Sequence, residues 1–506
     1  MERRALPPLA EVDARGRASG SLRGLRRQLE PVKRAALAAE AAPHLAAWMA
    51  SIIAIAVFSS FALARHRAYE STAYDFGFFD QVVWNTSRGD WFQTSFVEYN
   101  FLGQHFEPVL LVFAGLYRLG GGPETMLIAQ SLFAGAAAIP LFFATRRMTS
   151  SAGAGLCLAL AYLFNPALHR SLDFDFHPEV MAFPLAFSSL YFVAASRPWA
   201  AVAAILPVLL LKEDMAILVL ALAALLWLRR HRGQAGVLGL AGSAWIIAVM
   251  FILMPALRGG PGDLNERYAY LAREAEPATL LPLAASRATE HLAASTATGL
   301  FELESSLGGL ALLHPAVLLA LVPAVLNGLS DHPEQSRLDL HYSTLPLALS
   351  FFAAAFALGD IADGRRWARV AVAVPRASRI RAASLALLLV AAASFLAGSP
   401  YSPLAERRAP DRSHRQAIAS ALDRIPAAAS VSAQGTLLPH LSQRAEVWEF
   451  PDLRESDSVV VDSALPLTTQ AREAGYDSVL RALPSRGYAL VWESGTVRLF
   501  QRSVDE

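Results

Sequence analysis

One cysteine, Cys157, occurs in 506 residues, inside an apolar run. It excludes an internal disulfide, and its expected role is a packed small residue. Charge is also scarce. Asp, Glu, Lys and Arg make up 17% of the chain, against about a quarter in soluble proteins. The net charge is +1, so no overall field suits a nucleic acid, and nucleic-acid partners are not expected. The ~10-residue alternating segments of a transmembrane β-barrel are missing. So are internal repeats and long low-complexity tracts. No small-residue cleavage site follows the first apolar run, which argues against a cleavable signal peptide.

What is abundant is apolar sequence, at 54% of residues. Long runs recur at residues 45–64, 125–144, 152–164, 180–195, 215–228, 237–257, 310–329, 344–358 and 383–396. Several approach the ~20 residues that a spanning helix needs. The expected fold is a polytopic α-helical membrane protein with about eleven transmembrane helices. Residues 1–43 form a basic leader, expected to be partly disordered and cytoplasmic, because Arg3, Arg4, Arg15, Arg17, Arg23, Arg26, Arg27, Lys33 and Arg34 precede the first span. Arg146-Arg147, Arg229–Arg232 and the basic loop from Arg365 to Arg381 (Arg365, Arg366, Arg369, Arg376, Arg379, Arg381) mark further cytoplasmic turns. Residues 44–400 are the membrane domain, with a first outer loop at 65–123. Residues 109–119 are too short to span comfortably, and residues 278–303 are a weak extra crossing that carries Arg287, Glu290 and His291. Residues 401–506 read as a small extracytoplasmic α/β domain. It has an amphipathic helix at 412–424, strands at 430–433, 447–450 and 457–462, and a hairpin around Ser494-Gly495.

This orientation, derived from basic residues alone, gathers the acidic and histidine clusters on the outer face. Tyr74-Asp75-Phe76-Gly77-Phe78-Phe79-Asp80-Gln81 places two carboxylates among aromatic rings just beyond the first span. His105 and Glu107 end the same loop. Asp173, Asp175, His177 and Glu179 alternate with Phe174, Phe176 and Pro178, so an extended chain would point the polar groups one way. Lys212-Glu213-Asp214 forms a hairpin tip, and His341-Tyr342 opens a later span. Taken singly, each cluster also fits a plain role: a headgroup-anchored loop, a hydrogen-bonded histidine, a solvated turn. Together they suit an active site reached laterally by a lipid and from water by a second substrate. Asp75, Asp80, His177 and Glu179 are also candidate ligands for a divalent cation. No redox cofactor is expected.

These motifs, with Trp84, Leu438-Pro439-His440-Leu441-Ser442 and Arg444, resemble a family of bacterial polytopic membrane proteins defined as a domain of unknown function. Its marks here are YDxGxFDQ, FDFHPE and KED. The chain is similar, more distantly, to the C-type (GT-C) glycosyltransferases. That resemblance implies a GT-C-like membrane domain and a location in the bacterial cytoplasmic membrane with the C-terminal domain outside. It also implies a polyprenyl-phosphate sugar donor and an envelope glycan, lipid or protein acceptor. An essential acidic residue in the first outer loop would be the base; Asp75 matches that position best and Asp80 second. His105, Glu107, Asp173, Asp175, His177, Glu179, Lys212, Glu213, Asp214, His341 and Tyr342 would then bind substrate. A transporter using the outer carboxylates and a non-catalytic envelope scaffold are the alternatives.

Overall fold

The computed structural model describes residues 14–260, 267–271, 279–364, 374–405 and 411–503. Arg3, Arg4, Arg365, Arg366 and Arg369, used above to set the orientation, lie outside the described residues. The first apolar run is the second half of a longer helix, Ala14–Arg67. The leader expected to be partly disordered is therefore helical from Ala14 onward.

By length and composition, five helices among the described residues are able to cross a membrane: Ala41–Arg67, Glu124–Thr149, Arg232–Arg258, Pro333–Asp363 and Arg376–Gly398. Ala152–Leu163 and Pro166–Leu172, bent by 47°, make a sixth if joined. The bend follows from Asn165-Pro166. Pro166 cannot continue the helix hydrogen bonding, and the Asn165 side chain instead caps the new helix by accepting from Ala167 N (2.9 Å) and Leu168 N (3.1 Å). Pro178–Ala194, Pro198–Leu210 and Val317–Gly328 are apolar but shorter. The expected count of about eleven is not reached on these criteria. Residues 109–119 supply only the helix Leu110–Arg118, and Leu280–Ser305 is long enough but falls outside the apolar set.

Burial separates central from peripheral helices. The apolar window of Pro333–Asp363 is 83% buried, that of Arg232–Arg258 only 17%. The former runs through the core, where Tyr162 meets Phe183, Phe187 and Phe351 edge-on at 5.2–5.5 Å. The latter exposes Leu240, Phe251 and Ile252, an apolar surface of the kind lipid covers. Between the first span and Glu124–Ala136 the backbones pack closely at Gly135. Its carbonyl accepts from Ser51 Oγ at 2.9 Å, and a Cβ there would lie 2.5 Å from Ile55 Cγ1 and 3.2 Å from the Ser51 carbonyl. Gly135→Ala is expected to destabilise the fold by ~1–3 kcal/mol through overpacking, measurable as a lowered unfolding midpoint in detergent.

The C-terminal domain holds a five-stranded sheet in the order β2-β1-β3-β5-β4. Its strands are β1 (Val431–Ala433), β2 (Val447–Glu449), β3 (Ser458–Asp462), β4 (Tyr488–Ser494) and β5 (Val497–Arg502). β1 pairs in parallel with β2 and β3, and β5 runs antiparallel to both β3 and β4. All of β3 is buried, which its Val459-Val460-Val461 core requires. The helix Arg412–Leu422 contributes Ile418 and Ala421 to the same core.

This domain is docked on the first loop. Ser95 Oγ donates to Val447 O (2.7 Å) and accepts from Val447 N (3.0 Å) beside β2. Gln81 Nε2 reaches Arg444 O at 3.0 Å. Gly77 explains its own place in the motif, since a Cβ there would stand 2.8 Å from Leu438 Cδ2 of the docked domain.

Candidate functional site

Asp75 sits in a single π-turn, Ala73–Gly77, that leads directly into the helix Phe78–Arg88. Such turns recur at functional sites because they displace one side chain from the regular helical pattern. Thr72, in extended conformation, precedes the turn, and its hydroxyl donates to Asp75 Oδ2 at 3.0 Å. Asp75 Oδ1 faces His177 Nε2 at 3.6 Å. The Asp75 side chain remains 33% exposed, whereas His177 is 4% exposed. Burial alone would raise the Asp75 carboxyl. The hydrogen bond and charge of His177, with the Thr72 hydroxyl, outweigh it and hold the group below its ordinary value.

The tautomer of His177 follows from its other nitrogen. Nδ1 lies 3.0 Å from Phe174 O, and a carbonyl only accepts, so Nδ1 carries a proton. With Nδ1 engaged by the carbonyl, Nε2 is the ring nitrogen that faces the Asp75 carboxylate.

Asp80 has a different environment. It is fully buried, and its oxygens accept from Tyr117 Oη (2.6 Å), Ser442 Oγ (2.5 Å) and Gln443 Nε2 (3.1 Å). Burial pushes its carboxyl up despite these three donors. Tyr117 belongs to Leu110–Arg118, and Ser442 and Gln443 to the C-terminal domain. Asp80 is therefore a joint between two parts of the protein. Its carboxylate is fully buried and engaged by three protein donors, unlike that of Asp75.

The segment Asp173–Glu179 is not extended, so its side chains do not face one way. Asp175 takes φ +51°, a left-handed conformation that Asp tolerates better than most residues. Its carboxylate meets Arg65 Nη1 at 2.5 Å, Thr72 N at 2.8 Å and Thr72 Oγ1 at 2.7 Å. Asp175 thereby fixes the residue that positions Asp75. Gln130 braces the segment from the other side, donating to Asp175 O (3.0 Å) and accepting from His177 N (2.5 Å). Asp173 closes the helix Pro166–Leu172, its N–H donating to His169 O at 2.8 Å, within the field of Arg65.

Beyond His177 the polar side chains continue inward. His177 stacks on His341, ring centroids 3.9 Å apart at 14°. His341 Nε2 is 4.0 Å from Glu179 Oε1, and the same oxygen accepts from Lys212 Nζ. His105 Nδ1 lies 3.3 Å from Glu213 Oε1, while Glu213 Oε2 accepts from Phe106 N at 2.9 Å. Burial opposes the Glu213 charge, but His105 overrides it and holds the carboxyl low. Asp214 is pushed up to about 7 by burial and by Glu213 and Glu179, against Lys212. Glu107 is fully buried with neither oxygen hydrogen-bonded among the described residues. Burial, then the Glu179 charge, push it well above the carboxylate range. Tyr342 lies alongside, its hydroxyl accepting from Arg267 Nη1 at 3.2 Å. Five clusters far apart in sequence thus form one connected network, with Asp75 at its open end.

Among the described residues no three His, Cys, Asp or Glu side chains converge as a metal-ion group. Asp80 is spent on its own donors, so Asp75, Asp80, His177 and Glu179 do not make the divalent site set out as a candidate. Lys212 is likewise engaged, by Glu179 and the neighbouring carboxylates.

Residues 65–479 match a family described as a predicted membrane protein, DUF2079. The chain belongs to this family. The DUF2079 region contains every motif of the network, from Asp75 to Tyr342, and the docked Ser442 and Gln443. No curated protein matches the chain. Among solved structures it is similar to ArnT from Cupriavidus metallidurans in the apo state, with 15% identity and a TM-score of 0.47. That match covers 88% of this chain and 97% of the other.

Thr72, Gln130, Arg65 and Tyr117 were not singled out from sequence. Only Thr72 carried a local signal, as a capping-type residue directly before the Asp75 turn.

Proposed function

We propose that this protein is a membrane glycosyltransferase that moves a sugar from a polyprenyl-phosphate donor to an acceptor hydroxyl, with Asp75 as the base. The observation that carries the reading is the contrast between the two loop aspartates. Asp80 is sealed by protein donors, whereas Asp75 is partly open and paired with a buried histidine. A general base needs one face toward substrate and a second group that sets its charge and orientation. Asp75 has both.

A sugar on polyprenyl phosphate is already activated, so the protein must align the acceptor hydroxyl, take its proton and accommodate the departing phosphate. The bond from the sugar's anomeric carbon to phosphate breaks as the bond to the acceptor oxygen forms, and the hydroxyl proton goes to Asp75. One base without a covalent intermediate suits an inverting transfer. The engaged Lys212 leaves recognition of the phosphate to other groups, while His105, Glu213 and Tyr342 remain candidates for sugar hydroxyls. The charge-derived orientation supports a reaction on the outer face of the bacterial cytoplasmic membrane, with an envelope glycan, lipid or protein as the proposed acceptor.

The test uses purified protein in detergent or nanodiscs with radiolabelled polyprenyl-phosphate sugars. Saturable binding and release of free polyprenyl phosphate are expected. Absence of both, together with cation-driven uptake of solute into vesicles, would replace this reading with transport.

A further inference from the structure

An open groove of about 390 Å³ lies where the first loop meets the docked C-terminal domain. That volume falls in the ~300–1,000 Å³ range of ligand pockets. Asn85, Asp90, Gln93 and Glu98 line it from the loop, and Glu446, Trp448 and Arg454 from the domain. Asn85 and Trp448, 7% and 8% exposed, are its most buried members and form the floor. Asp90, Gln93, Glu98 and Glu446 are exposed and form the rim. The junction is braced. Asn85 Nδ2 donates to Gln93 O at 2.9 Å, and Ser95, also in the wall, holds the two sides together through Val447.

Charge and chemistry narrow the occupant. Arg454 is the only cation among the lining residues, and it is engaged by Glu98 and Asp452, each at 3.3 Å. The groove therefore offers no free guanidinium for a phosphate or a uronate. The side chains of Asp90 and Glu446 make no hydrogen bond or ion pair among the described residues. Two open carboxylates beside two amides make a lining rich in acceptors, which suits a ligand rich in donors. Sugar hydroxyls supply such donors, and Trp448 with Val97 gives the apolar wall that the C–H face of a pyranose needs. A lysine-rich peptide would answer the carboxylates but leave the amides and the indole idle.

We propose that this groove binds a neutral glycan, as the distal part of the acceptor. The helix Phe78–Arg88 puts Asn85 about 15 Å beyond Asp75. Sugar units further along the same chain would carry the reacting hydroxyl to the base. The acceptor role rests on the glycosyltransferase reading, whereas binding is measured without turnover, so the two can fail separately.

The experiment is calorimetric titration of the full chain in nanodiscs with linear tetrasaccharides of glucose, mannose, galactose and N-acetylglucosamine. Saturable binding of at least one is expected, with the same affinity at low and high salt because the ligand is uncharged. Asp90→Ala and Glu446→Ala, both at exposed positions, should keep the wild-type unfolding midpoint. Each should weaken that binding by about tenfold, the loss of one charge-assisted hydrogen bond. If one of them fails to fold, the other decides. Asp75→Asn should bind as the wild type does. Binding of none of the four sugars would end the proposal. Unchanged affinity in the rim variants, or its loss in Asp75→Asn, would place the sugar outside the groove. Tighter, salt-sensitive binding of tetralysine would make the groove a contact for a basic peptide, and tighter binding of tetragalacturonate would overturn the neutral class.

Discussion

Asp75→Asn is expected to abolish sugar transfer while leaving the fold intact. The substitution keeps the shape of the side chain and its contact with Thr72, but an amide oxygen is too weak a base to take a hydroxyl proton. General-base catalysis contributes ~10²–10⁴-fold, and turnover should fall by that factor with donor binding retained. Circular dichroism and the unfolding midpoint should match the wild type, because Asp75 is partly exposed and joins no two domains. Normal turnover in a folded Asp75→Asn protein would remove Asp75 from the chemistry.

The pH profile sharpens the same test, because a merely structural Asp75 would not move it. The base must be ionised, so activity rises with pH through the Asp75 pKa. His177 holds that pKa below the ordinary aspartate value near 3.9. In the wild type the acid limb should therefore lie below the range where the protein is assayed, and Asp75 should impose no pH dependence between pH 5 and 8. Removing the histidine leaves burial, the largest contribution and one that raises the pKa, without its main opponent. His177→Asn should bring the acid limb upward into the measurable range, and turnover at high pH should recover a large part of the wild-type rate. A uniform loss across all pH values would instead mark His177 as a packing residue.

What was legible in the sequence was chemistry by neighbourhood. The membrane class, the sheet-containing C-terminal domain and the β4–β5 hairpin follow from apolar run length, composition and turn residues. Run length is least informative about helix count at the short and polar stretches: residues 109–119, expected to be too short to span, form a nine-residue helix, and Leu280–Ser305, the weak extra crossing, is long but outside the apolar set. In the site, the structure joins the clusters that the basic-residue orientation groups on one face, through His177 and His341. Local pattern could not distinguish Asp75 from Asp80. They lie five residues apart among the same aromatic rings, and the difference comes from Ser442 and Gln443, more than 360 residues later. The alternation of Asp173 to Glu179 misled for a related reason. A long-range ion pair to Arg65 and the left-handed Asp175 override the extended periodicity.

Asp80→Ala should be the most destabilising single change in the first loop. The aspartate is fully buried and accepts from Tyr117, Ser442 and Gln443, so truncation strands donors from two parts of the protein and leaves a void between them. Unsatisfied buried donors cost ~1–3 kcal/mol each, though relaxation will share that loss; ~3–5 kcal/mol in total is the expected range for removing one member of a buried charged network. The first consequence should be undocking of the C-terminal domain, read as release of that domain by protease at concentrations that spare the wild type. Asp80→Asn separates charge from shape. Its amide still accepts from one or two donors, so docking should largely survive. Because burial raises the Asp80 pKa in the folded state, the linked stability is fully present below the ordinary aspartate value and is lost as pH rises through the raised one. Wild-type docking should therefore tighten on acidification across that window, and the Asn variant should lack this dependence. If Asp80→Ala stays docked and folded yet loses turnover, Asp80 acts in the chemistry and the division of labour between the two aspartates is wrong.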